Sequence, residues 1–122
     1  MPLDHFEAQV RQARGTDVAI IDLRGEIDAL AEEALNRAYQ EAILTKPSTV
    51  LLHFGQVDYI NSTGIALIVG LLARARAERR SVEACGLSSH YQHIFEITRL
   101  ADFLRLVPDE PAALGARRAI AP

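Results

Sequence analysis

The spacing of apolar positions along this chain switches between two and three-to-four, and each switch marks an element. Phe6, Ala8 and Val10 alternate with Glu7, Gln9 and Arg11, the period of a half-exposed strand over Phe6 to Arg14. Gly15-Thr16-Asp17 turns the chain, and Val18 to Leu23 reads as a more buried strand, so the two predict an antiparallel hairpin. Arg24 to Asp28 reads as a loop, with Asp28 placed to cap a helix from about Ala29 to Leu44. Leu30, Ala31, Ala34, Leu35, Ala38, Tyr39 and Ala42 form the expected buried face of that helix, and Pro47 prevents its continuation.

The apolar run Val50 to Phe54 is a further buried strand. Coming after a helix, it implies a crossover to a parallel partner. Past a turn region, a helix starts near Ser62 or Thr63 and ends near Arg80. Ile65 to Leu72 is apolar nearly all round, which predicts burial on most sides. Ser81 to Cys85 is a short strand, and Ser88 caps a third helix with Tyr91, Ile94, Phe95 and Ile97 inside. Leu100 to Val107 is expected to pack as a helical turn or edge element around Phe103 and Leu106. From Pro108 the periodicity is lost, and a weakly ordered tail or short helix is expected over 108–122. The order β-β-α-β-α-β-α describes an α/β sandwich on a mixed sheet.

Composition narrows the class. An apolar fraction of 49% with 24% charged residues is that of a globular chain, and 122 residues suffice for one core. A net charge of −3 gives no reason to expect non-specific attraction to nucleic acid or anionic membrane. Cys85 is alone, so no internal disulfide forms. No stretch approaches the roughly 18 apolar residues of a spanning helix. Met1 to Gly15 carries charge throughout, and a cytoplasmic location is expected.

The polar turn Asn61-Ser62-Thr63-Gly64, between a strand and a helix, carries the candidate chemistry. On one reading Asn61 or Ser62 simply caps the helix. On the other, Ser62 or Thr63 accepts a phosphate, which adds roughly −1.5 to −2 charges where a helix N-terminus tolerates them. Such a modification would alter a partner's surface and leave the fold intact. A third reading uses the helix start as a nucleotide or anion site. Catalytic patterns are absent: the glycines form neither a GxxxxGK[ST] loop nor a GxGxxG fingerprint, and no serine lies in GxSxG. His90 and His93 lie three apart without a third ligand, so no metal is expected. His53 reads as a core or sheet-edge residue, Cys85 as a small buried hydrophobe, and Arg74 to Arg80 as a solvated helix end. The expected class is a binding protein, with no enzymatic role and no cofactor.

Gly25-Glu26-Ile27-Asp28, Val57 to Gly64, the helix LLARARAERR, Gly86-Leu87 and Ile97 to Leu104 together resemble the STAS domain family, which includes the bacterial anti-sigma factor antagonists. The likeness covers roughly residues 5 to 107. It implies a STAS-like α/β single domain over 1–107, its mixed central β-sheet of four to five strands packed with three to four helices. It also implies a protein that binds a serine-kinase anti-sigma factor, frees the sigma factor, and is reset by a phosphatase. In that scheme the acceptor precedes the glycine of a D-S-S/T-G motif, which is Thr63 here, with Ser62 beside it. Glu26, Asp28, Asn61, Ser62, Thr63 and Gly64 would form the partner surface. Two positions depart from the family pattern: Asn61 stands where Asp is usual, and His53 where Asp is frequent. A non-switching scaffold or a lipid-transport accessory STAS protein is the alternative, and assembly is left open between monomer and weak dimer.

Overall fold

Alternation drives the first hairpin as expected. In the computed structural model, which describes residues 5–120 with side chains through Gly115, β1 (Phe6–Gln12) pairs antiparallel with β2 (Val18–Ile27). Strand β3 (Thr49–Ile60) runs parallel to β2, β4 (Ser81–Cys85) parallel to β3, and the short β5 (Arg105–Leu106) parallel to β4. The sheet order is β1-β2-β3-β4-β5. Helices α1 (Glu32–Ala42), α2 (Ser62–Ala77) and α3 (Ser89–Ile97) make the crossovers that parallel pairing requires, and α4 (Glu110–Ile120) follows β5.

The two-residue period sorts the central strands onto two cores. Ala19, Ile21 and Leu23 of β2, Val50, Leu52 and Phe54 of β3, and Val82 and Ala84 of β4 share one core with α1, α2 and α3. Its largest members include Tyr39 and Phe95, the latter edge-on to Phe54 at 5.8 Å between ring centres. Val18, Ile20, Leu51 and Cys85 point to the opposite face, where Ala113 and Leu114 of α4 cover them. Arg11 ties α4 to the hairpin, bonding the Asp22 carboxylate at 2.9 Å and that of Glu110 at 2.6 Å. The bond from Arg11 holds the Glu110 carboxyl below the usual range. Beneath the helix, burial pushes the Cys85 thiol up to about 11, which suits a packing role and not a nucleophile.

Several boundaries and faces differ from the sequence reading. The expected loop Arg24–Asp28 is mostly strand, since β2 continues through Ile27, and β3 continues through the expected turn as far as Ile60. These polar segments pair with each other in parallel, with register shifts on either side of Gly25, whose φ is +99°. Main-chain pairing holds them, and polarity along the chain does not report it. Helix α1 is shorter than the expected Ala29–Leu44, with three-residue 3-10 turns at Ala29–Ala31 and Ile43–Thr45. Helix α2 ends at Ala77, and Arg79 follows in the left-handed region at φ +61°. It buries one side only (Gly64, Ile68, Leu71, Leu72, Ala75), leaving Ala66, Val69 and Ala73 exposed. Leu30, Ile97 and Phe103, expected inside, are exposed at 76%, 64% and 55%. Leu100 is the residue of its segment that enters the main core, and Leu104 joins it.

One polar link joins α1 to the far end of α2. The Tyr39 hydroxyl donates to Glu78 at 2.8 Å, Arg80 pairs with the same carboxylate, and the Arg74 guanidinium lies 4.7 Å over the Tyr39 ring. Burial first, then the bond to Glu78, pushes the Tyr39 phenol up to about 12. The bond from Tyr39 in turn holds the Glu78 carboxyl below its ordinary value. A raised folded-state value means the stabilisation is complete below the unfolded phenol's pKa of about 10 and is lost as pH rises toward 12. Tyr39→Phe is expected to lower stability by about 1 kcal/mol at neutral pH and to flatten the alkaline decline between those limits. Urea unfolding at neutral pH and across the alkaline range reads both, and an unchanged alkaline slope would reject the role of Tyr39.

Candidate functional site

Parallel pairing brings the two polar segments together at one end of the central strands, where they form a polar edge of the molecule. Glu26 is opposite Tyr59 and Ile27 opposite Ile60, so Asp28 and Asn61 leave the sheet side by side. The Asn61 amide donates to the Ile27 carbonyl at 3.2 Å, clamping the start of α2 to the end of β2. Asn61 Oδ1 accepts from the Gly64 amide at 2.8 Å, the N-cap bond of α2. Asn61 is thus a neutral cap, where aspartate would bring a charge.

Gly64 sits where the helix touches the strand: a Cβ there would lie 1.9 Å from the Ile27 carbonyl oxygen. Ser62 and Thr63 fall between cap and contact, both exposed in the first turn. The backbone under them is held on two sides while their hydroxyls face solvent. The unpaired amides of a first turn and the positive helix end favour an anionic group there.

Asp28 caps the adjacent turn, with Oδ1 accepting from the Leu30 amide at 3.0 Å. Its other oxygen lies 2.6 Å from His5 Nε2, and Glu26 lies 3.6 Å from the same nitrogen. The structure therefore gathers Glu26, Asp28, Asn61, Ser62, Thr63 and Gly64 at neighbouring strand ends. It adds residues that the sequence did not indicate. His5 precedes β1 and carried no signal of its own, yet it ties the chain entry to the Asp28 cap. Tyr91 of α3 accepts from the Ile60 amide at 2.9 Å and fixes the end of β3. Tyr59 is half exposed on the same edge.

Among the described residues, His5, Glu26 and Asp28 are the grouping whose ligand atoms lie close enough to hold a cation, within 4.8 Å of one another. Those atoms are engaged with each other through the His5 contacts. His90 and His93 are exposed, and His90 meets the Tyr91 ring edge-on at 4.9 Å. His53 is half buried, with Nδ1 accepting from the Gly55 amide at 3.1 Å, a satisfied sheet residue. No nucleophile–base pair is formed by the described site residues. The arrangement is suited to presenting hydroxyls and carboxylates to another surface.

Comparison with known proteins agrees with the fold. The family model described as "Mlab, STAS domain" matches residues 10–108. An anti-sigma-B factor antagonist of Listeria monocytogenes is 29% identical over 93 residues, covering 76% of this chain and 82% of that protein. The crystal structure of an anti-sigma factor antagonist from Mycobacterium paratuberculosis superposes with a TM-score of 0.73 at 20% identity, covering 93% of this chain and 94% of that one. The Bacillus cell fate determinant SpoIIAA in its phosphorylated form gives a TM-score of 0.67 at 21% identity, over 90% and 99% of the two chains.

Proposed function

Because the chain belongs to the STAS domain family, we propose that it is an anti-sigma factor antagonist switched by phosphorylation at the start of α2. Its partner is an anti-sigma factor of the serine-kinase type, met at the edge formed by Glu26, Asp28 and Asn61 to Gly64. Thr63 is the acceptor, with Ser62 beside it. The observation that carries this reading is the pair of exposed hydroxyls on a helix start locked by Asn61 and Gly64. Phosphate added there changes what a partner meets and leaves the core untouched. Supporting it, the Listeria relative is named an antagonist of an anti-sigma factor, and the SpoIIAA structure is of a phosphorylated protein. Among the described residues no helix is long and apolar enough to cross a membrane.

The test is acceptor mapping. The chain is purified from cells that contain its partners, and phosphopeptides are read by mass spectrometry in wild type, Ser62→Ala and Thr63→Val. We expect one phosphate per chain, lost in Thr63→Val and kept in Ser62→Ala. Modification of Ser62 alone would move the switch by one residue. No modification in any background would retire the switch and leave a constitutive STAS adaptor, the reading that the neutral Asn61 favours.

A further inference from the structure

The outer side of α2 leads away from Thr63 into a second surface that the switch does not use. Ala66, Val69 and Ala73 are exposed along it, and the side faces a groove walled by Thr98, Arg99, Leu100 and Phe103. Leu72 and Leu100 form the buried floor. Phe103 stands at its rim, 55% exposed, with the Arg76 guanidinium 5.6 Å over its ring. Val69, at 45% exposure, and Phe103 are the apolar residues a visitor would cover.

Charge separates this groove from the rest of the molecule. Arg76, Arg79, Arg80, Arg99 and Arg105 line it and its continuation toward β4. The acids that reach these arginines are Asp102, bonded to Arg99, Glu78, bonded to Arg80, and Glu83, at 4.0 Å from Arg105. Five arginines against three carboxylates leave two net positive charges on one face of a chain whose net charge is −3. At the opposite end of α2, the Glu26 and Asp28 edge is acidic.

We propose that this groove docks an acidic amphipathic helix of a partner protein, apolar side onto Val69, Leu72 and Phe103, carboxylates toward Arg76, Arg79 and Arg99. Concave shape and small residues on α2 admit a helix at close range, the mode in which an apolar helix face fills a groove. The positive rim selects its charge and orients it. An anionic lipid surface fits less well, because part of the apolar surface, at Leu72 and Leu100, lies on the floor of a groove that a flat bilayer does not reach, and the whole chain is acidic. The surface stands apart from the switch and does not depend on it.

The full-length chain, labelled for amide NMR, is titrated with a synthetic amphipathic helix of about 18 residues bearing Leu on one face and Glu on the other. Saturable shifts are expected at Val69 to Arg76 and Thr98 to Phe103. Affinity is expected to fall about tenfold or more in Phe103→Ser and in Arg76→Glu, and when Lys replaces Glu in the peptide. Thr63→Glu is expected to leave it unchanged, so a failed switch and a failed groove are read separately. Absence of saturation, equal binding of the Lys peptide, or binding to phosphatidylglycerol vesicles in place of the peptide would each overturn the proposal.

Discussion

Gly64→Ala is expected to destabilise the protein by about 3 kcal/mol, lowering the melting temperature by roughly 10 °C. The added Cβ would lie 1.9 Å from the Ile27 carbonyl oxygen and 2.7 Å from its carbon. Both are main-chain atoms, so no side-chain rotation relieves the overlap. Relief requires α2 to move off the end of β2, which breaks the bond from the Asn61 amide to Ile27. Gly64→Val adds two methyl groups to the same contact and is expected to be worse. Gly115 is the control, because a Cβ there meets nothing within 4 Å in the middle of α4. Gly115→Ala is expected to be neutral or to stabilise by up to about 1 kcal/mol through helix propensity, and Gly115→Val to cost far less than Gly64→Val. Thermal melts of the four variants suffice. A Gly64→Ala protein that melts with the wild type would show that strand and helix do not touch there. The glycine beside the proposed acceptor is thus a packing requirement, and any loss of the proposed switching in a Gly64 variant would follow from loss of the platform.

Thr63→Glu should separate function from stability in the opposite way. A carboxylate in the first turn of a helix is favourable by about 0.3–1 kcal/mol, so the melt is expected to hold or rise slightly. Partner capture is expected to fall by about two orders of magnitude, corresponding to about 3 kcal/mol. The reason is a new negative charge beside Glu26 and Asp28 on the proposed contact edge, which a partner fitted to a neutral hydroxyl must meet. Thr63→Val, without the charge, is expected to keep capture while refusing phosphate. Pull-down from native lysate with the three proteins, with bound chains identified by mass spectrometry, gives the answer. Capture of a kinase-type regulator by wild type and Thr63→Val alone supports the gate, whereas equal capture by Thr63→Glu removes it.

The hairpin, the order of strands and helices as far as α3, the caps at Asp28 and Ser88, and the polar turn at Asn61 to Gly64 were legible in the chain because each rests on local rules. Alternation reports a half-buried strand, three-and-four spacing reports a helix face, and a capping side chain acts within three residues of itself. The extension of β2 and β3 through Arg24 to Ile27 and Gly55 to Ile60 was not legible, because main-chain bonds to a distant strand hold polar residues as well as apolar ones. The exposure of Leu30, Ile97 and Phe103 was hidden for a related reason: an apolar residue announces that it can be buried, and only the neighbouring elements decide whether it is. The link from His5 to Asp28 joins residues 23 positions apart and has no local signature. So the sequence by itself determined the elements as far as α3 and the residues that bear the candidate site's hydroxyls and carboxylates. Tertiary structure alone decided that Asp28 and Asn61 leave the sheet together, that Gly64 must be small, and that α2 keeps an open, basic groove, since each depends on distances between segments that the chain visits separately.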